Sequence, residues 1–316
     1  MNSSSNNSYE STHSMCMFYL GIGTLALFAN FINLGMYTRS RDSRKMYMCF
    51  IPLEFGELIN SVSFILTGVG RLEELHSGEM SSQFTVHRCF YGKYWAHAQI
   101  LGTEIPTLFL ILTSIERICA VCWPAIFGTL FSERRKAMMI SACVALTAAS
   151  FGAAAASAYH NQTKNVDGHC GIIHSTAKWY STFHFIFIIV GYGVSLISLV
   201  IMKIYSRKFR PNGKLSLRRD SKTNILIAFT GASMLLVASP SIVMIGLKWA
   251  WFTMDDIWIA LAYSATALVS IANMIINFIF RDDFRATLVH CTNSIGGTDH
   301  KDEAHNIRHT PSPTHI

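Results

Sequence analysis

Seven stretches of this chain are each long and apolar enough to cross a bilayer, and that leaves few folds open. They run approximately over 15–37, 46–70, 94–121, 137–159, 178–204, 224–247 and 257–280. Roughly 30 Å of hydrocarbon takes about 20 helical residues to cross. Inside it every backbone N–H and C=O must find a partner within the protein, and a helix supplies those partners by itself. The expected fold class is therefore an all-α, seven-transmembrane helix bundle. Composition agrees, since 51% of residues are hydrophobic and only 14% are charged, too apolar a balance for ordinary soluble domains of this length. No interval between the stretches could build a separate core. One membrane domain is expected over 15–291, after an N-terminal tail 1–14 and before a polar, disordered cytosolic tail 292–316. No basic segment or small-residue cleavage site marks the first stretch as a removable signal, so it is expected to be retained. The fourth stretch is rich in alanine, which suits close helix packing.

The net charge of +7 does not point to nucleic acid, because the basic residues sit in alternate loops. Arg39, Arg41, Arg44 and Lys45 fill the first loop, Arg134, Arg135 and Lys136 the third, and Arg207, Lys208, Arg210, Lys214, Arg218 and Arg219 the fifth. The positive-inside rule then places the N-terminus outside the cell and the C-terminus in the cytosol, with the plasma membrane as the expected location. Glycosylation sequons at Asn2, Asn6 and Asn161 all fall on the outer side of that topology. So do Cys89 and Cys170, in a compartment that permits a disulfide between them, with two free thiols as the alternative.

Ionisable and amide side chains inside spans are costly and usually face a partner or a cavity. Glu54, Glu57 and Asn60 follow one another at three-residue spacing on one face of the second span, and Asn30 lies in the first. They read as an intramembrane polar seam, or as buried groups that only fix packing. Gln99 and Glu104 in the third span, His184 in the fifth and Tyr263 in the seventh are candidates for a ligand pocket. Aromatic residues at the outer helix ends either line that pocket or form an interfacial belt, the belt being the better reading. At the inner end of the third span stand Glu116 and Arg117 in SIERICAVCWP, with Pro124 seven residues after the arginine. Asp220, at the base of the sixth span, is placed to pair with Arg117 and clasp the two helices, a contact that a modest bias could release.

These residues resemble the rhodopsin-like (class A) G-protein-coupled receptors. The pair Glu116-Arg117 with Pro124 is similar to that family's acid-Arg-Tyr…Pro signature. Asn30, Glu57, Cys89, Cys170 and Pro240 match its marker positions, and Asp220 falls where an inner-lock acid is often found. Asn273 and Asn277 stand in place of the seventh-helix Asn-Pro-x-x-Tyr, and Phe284-Arg285 resemble the start of a short amphipathic eighth helix, with Cys291 beyond it open to palmitoylation by analogy. The departures are specific: Met274 for the proline, Asn277 for the tyrosine and Ala238 for the tryptophan before Pro240. Together with His-Arg-Cys-Phe at 87–90, they make the chain most similar to nematode serpentine chemosensory receptors.

The resemblance implies a receptor whose partners are an extracellular small molecule or peptide, a heterotrimeric G protein and membrane lipid. No cofactor is implied. Ala267, six residues before Asn273, leaves no lysine for a retinal Schiff base. Gln99, eighteen before Arg117, gives no counter-ion for an amine ligand. An intramembrane metal hydrolase would need clustered ligands, and His97 and His184 lack metal-binding spacing, so neither a metal site nor an enzyme is expected. The alternative is a cation channel or transporter using Glu54, Glu57 and Glu104, without internal repeats to support it.

Overall fold

A computed structural model describes residues 3–79, 83–164, 170–209, 214–254, 256–281 and 284–286. In chain order the helices are α1 (Ser3–Thr38), α2 (Arg41–Met46), α3 (Phe50–Ser77), α4 (Val86–Gly92), α5 (Tyr94–Cys122), α6 (Pro124–Leu130) and α7 (Glu133–Ala158). They continue as α8 (Ile172–Ser175), α9 (Lys178–Phe209), α10 (Lys214–Ser233), α11 (Ser239–Lys248), α12 (Asp256–Ala265) and α13 (Leu268–Phe280). Seven spans result, as the apolar stretches require. α1, α3, α5, α7 and α9 are the first five. The sixth is α10 and α11 joined through a π-helical turn, Met234–Ala238, and the seventh is α12 followed by α13. The chain divides into two compact units, Met1–Ile276 and Asn277–Ile316. In the second, 284–286 are helical and Arg285 donates its amide to the Arg281 carbonyl, where the eighth helix was expected. Cys291 and the tail 292–316 lie outside the described residues.

Local chemistry sets the helix ends. Ser40 caps α2 by accepting the Ser43 amide at 3.0 Å, and Thr85 caps α4 by accepting from Arg88 at 3.2 Å. Pro124 opens α6 at its first turn, where a missing N–H costs nothing. The expected tail 1–14 is not separate from the first span, because α1 is already helical from Ser3.

Two expectations change on folding. The alanine-rich α7 is the least buried span, with Thr147, Ala154 and Ala158 as its buried residues. Its small side chains leave most of its surface facing outward rather than into the bundle. The seventh span is also not one helix. At Thr266–Ala267 the chain makes a turn, with Thr266 and Ala267 donating to the Tyr263 and Ser264 carbonyls at 3.1 and 3.0 Å.

Spans two and three pack backbone against backbone. A Cβ on Gly102 of α5 would come within 2.6 Å of the Asn60 Cα in α3, so only a hydrogen fits there. Gly152 of α7, by contrast, faces open space. Gly102→Ala should cost about 1–3 kcal/mol through overpacking, and Gly152→Ala should be neutral. Thermal unfolding of the two variants in matched detergent checks this; equal midpoints would contradict the packing.

Candidate functional site

One end of the helix bundle is closed by a disulfide. Cys89, on α4, is bonded to Cys170 with Cα atoms 5.2 Å apart. Lys93 separates α4 from α5. Trp95 donates its indole N–H to the Cys170 carbonyl at 3.2 Å. Phe84, Cys89, Trp95 and Cys170 make a closed apolar cluster around the bond. The loop is tied further by the Val86 and His87 amides, which donate to the Thr163 and Asn161 carbonyls at 3.0 and 3.1 Å. Asn161 also accepts the Thr163 amide through its side chain at 3.1 Å. Of the other sequons, Asn2 lies outside the described residues, and Asn6 is in α1 with its side chain outside them.

Beneath this loop is a cavity of about 240 Å³. Its walls include Tyr19 of α1, Arg71 of α3, Gly171 and His174 after the disulfide, Phe252, and Tyr263 of α12. Lys248 at the end of α11 donates to the Ile173 carbonyl and so fastens the loop to the sixth span. Deeper in the bundle is a second void of about 20 Å³, walled by Asn60, Gln99, Val237 and Pro240 and again by Tyr263. That volume is about one water molecule's worth. Tyr263 therefore stands between the two spaces.

The four residues expected to form a pocket do not share one. Tyr263 borders both spaces, and Gln99 borders the deeper void while donating to Thr67 at 3.0 Å. Glu104 and His184 belong to a closed network instead. One Glu104 oxygen meets Ser150 of α7, Tyr180 of α9 and His184 Nδ1, each at 2.9 Å. The other imidazole nitrogen lies 3.1 Å from the Thr103 hydroxyl. This ties spans three, four and five together through one carboxylate oxygen, while the other Glu104 oxygen is buried and makes no hydrogen bond to the described residues. The outer aromatics mostly behave as a belt: Trp179, Trp251 and Trp258 are exposed, whereas Phe252 turns toward the cavity.

The polar seam is present as interhelical hydrogen bonds. Asn30 donates to Ser61 at 2.8 Å, and Asn33, which the sequence reading overlooked, donates to Glu54 at 3.4 Å. Glu57 lies against Ser270 of α13. Asn60 reaches across at 3.4 Å to the Thr266 carbonyl at the break in the seventh span, which also accepts the Val269 amide at 3.4 Å. Asn273 is fully buried, and its amide makes no hydrogen bond to the described residues. Asn277, in the second unit, is buried as well.

At the far end of the bundle, Glu116 is 5% exposed and pairs with Lys136 of α7 at 2.6 Å, rather than with the adjacent arginine. Lys45 of α2 pairs with Glu133 at 2.7 Å, so two ion pairs anchor the start of α7. Cys49 sits beside them. Burial, and secondarily the charge of Glu116, push its thiol from the ordinary 9.0 up to about 12, which keeps it protonated. Arg117 is half-buried on the same turn, next to Glu116. Asp220 is in α10, with its side chain outside the described residues. Arg71, near the end of the second span, was not among the expected site residues, yet it is 5% exposed and borders the cavity.

Comparison with known proteins agrees with this architecture. Residues 80–280, more than half of the chain, match the family model described as serpentine type 7TM GPCR chemoreceptor Srx. No curated protein matches the chain. The matched segment takes in the disulfide, α5 with Glu116-Arg117, the π-turn of the sixth span and the broken seventh span. This multi-pass protein of the plasma membrane belongs to the serpentine Srx family of seven-transmembrane chemoreceptors.

Proposed function

We propose that the chain is a chemosensory receptor that turns binding in the disulfide-capped cavity into movement of the sixth span and activation of a heterotrimeric G protein. The loop charges and sequons favour placing the disulfide end outside the cell, which would open the 240 Å³ cavity to external molecules. That volume lies just below the ~300 Å³ at which pockets for drug-sized ligands begin, and favours a small molecule over a peptide.

The observation that carries the reading is the double position of Tyr263. It borders the outer cavity and also the deeper void, whose other wall is Val237 and Pro240. Val237 belongs to the π-turn and Pro240 follows it, so this is where the sixth span's hydrogen-bond ladder is weakest. A ligand that prefers one placement of Tyr263 thereby biases the hinge, and differential affinity for the two states is all that coupling requires. At the inner end Arg117 and Asp220 would form the releasable contact, while Glu116, held by Lys136, keeps α5 fixed against α7. Outward movement of α10 would open a groove that a G-protein helix can enter. The channel alternative draws less support, because neither cavity is lined by Glu54, Glu57 or Glu104.

Two outcomes follow. In membranes at equal surface expression, Asp220→Ala should raise basal uptake of a GTP analogue by G proteins and Arg117→Ala should not; no rise in the well-expressed Asp220 variant would sink the latch. Separately, Lys136→Met should destabilise the protein by about 3–5 kcal/mol by stranding a buried carboxylate. Adding Glu116→Gln should restore much of that loss, as read by thermal unfolding; additive losses would mean that the pair is not coupled.

A further inference from the structure

We infer that Lys178 and Lys248, at the disulfide-capped ends of the fifth and sixth spans, clasp the phosphate of an anionic phospholipid whose acyl chain lies along α9 and α11. Lys178 opens α9, and its Nζ stands 3.9 Å from the centre of the Trp249 ring. The Trp249 indole reaches across to α9 and donates to the Thr182 hydroxyl at 3.0 Å, one turn along from Lys178. Lys248 precedes Trp249 and is half-buried; one of its three N–H donors goes to the Ile173 carbonyl. The two ammonium groups are close enough for the charge of one to act on the other. Among the described residues, neither has a carboxylate partner. Two like charges from neighbouring helices are thus held together with donors to spare, an arrangement that repels itself until an anion is shared between them.

What lies beside the lysines selects the anion. α9 and α11 pack against each other. Ile186 stands one turn beyond Thr182 on α9, Ile242 stands two turns before Trp249 on α11, and both are exposed. The bond between Trp249 and Thr182 sets those two faces side by side. The lysines therefore sit at the head of a lipid-facing apolar strip, at the depth where bilayer phosphates lie, and Trp179 and Trp249 are exposed there as interfacial residues are. A phospholipid carries charge at one end and hydrocarbon below it, and so matches both parts. A free phosphate would leave the apolar strip unused. Phosphatidylcholine brings its own cation beside the phosphate, whereas an anionic headgroup leaves that place to the lysines.

The test holds the full chain in detergent micelles with equal amounts of dioleoyl phosphatidylglycerol and dioleoyl phosphatidylcholine, and identifies the most tightly held lipid by native mass spectrometry. Wild type should retain phosphatidylglycerol over phosphatidylcholine by roughly twenty- to thirtyfold, from about fivefold for each lysine. Lys178→Gln and Lys248→Gln should each cut that ratio to about fivefold, and the double variant should bring it to about one. Lys178→Gln leaves the Lys248 bond to the Ile173 carbonyl in place, and decides the matter if Lys248→Gln fails to fold. Arg88→Gln removes an exposed cation of α4 at the same end and should leave the ratio unchanged. Excess inorganic phosphate should not displace the phosphatidylglycerol. No preference in wild type, a preference that survives the double variant, an equal loss in Arg88→Gln, or displacement by inorganic phosphate would overturn the inference. None of these readouts involves nucleotide exchange, so the inference stands or falls apart from the receptor reading.

Discussion

The close approach of α3 and α5 at Gly102 governs much of the rest. With backbone against backbone at Asn60, the Asn60 amide is carried far enough into the bundle to meet the Thr266 carbonyl in the seventh span. That carbonyl also accepts the Val269 amide at 3.4 Å, so Asn60 adds a second, interhelical bond at the break in the seventh span, where the chain turns just after Tyr263. The same pairing brings Gln99 to Thr67 at 3.0 Å and sets Trp95 under the disulfide, so the capped end inherits its geometry from the helix contact below it.

From that frame the two spaces around Tyr263 follow. The first is held open by a loop fixed by the disulfide, the Trp95 bond to Cys170, the Val86 and His87 bonds to Thr163 and Asn161, and the Lys248 bond to Ile173. The inner one sits where the sixth span has its π-turn and proline and is least able to hold a single straight course. Rigid walls on one side and a weak hinge on the other, joined by one tyrosine, form an arrangement in which occupancy and helix position can be linked. The Glu104 network is a different kind of feature. It locks the third, fourth and fifth spans together from within.

The spans were legible because their signal is length and hydropathy, which the bilayer reads directly. The partners of Asn30, Glu54 and Asn60 were only half legible. Three-residue spacing shows which groups share a face, but their partners Ser61, Asn33 and Thr266 depend on how neighbouring helices are rotated. Glu104 and His184 pair with each other, which the sequence did not show: a buried acid and imidazole look alike in sequence whether they close on each other or face a ligand. The break at Thr266–Ala267 has no glycine or proline to announce it; its backbone groups pair locally, Thr266 and Ala267 donating to Tyr263 and Ser264 and Val269 donating to Thr266. Glu116 beside Arg117 invited a local pairing, and its partner Lys136 is twenty residues away on the next span.

The central claim is that Tyr263 links the capped cavity to the hinge in the sixth span. Its most direct test is an interspin distance between labels at Gly128, in the exposed α6, and Asn224, at the start of the sixth span. It would be measured by double electron–electron resonance on the full chain in nanodiscs. Replacing Tyr263 with Ala, without touching either label or any inner-end residue, should redistribute those distances toward a longer population as the hinge loses its stop. A distance distribution identical to that of the unsubstituted chain, in a variant that remains folded, would contradict the link.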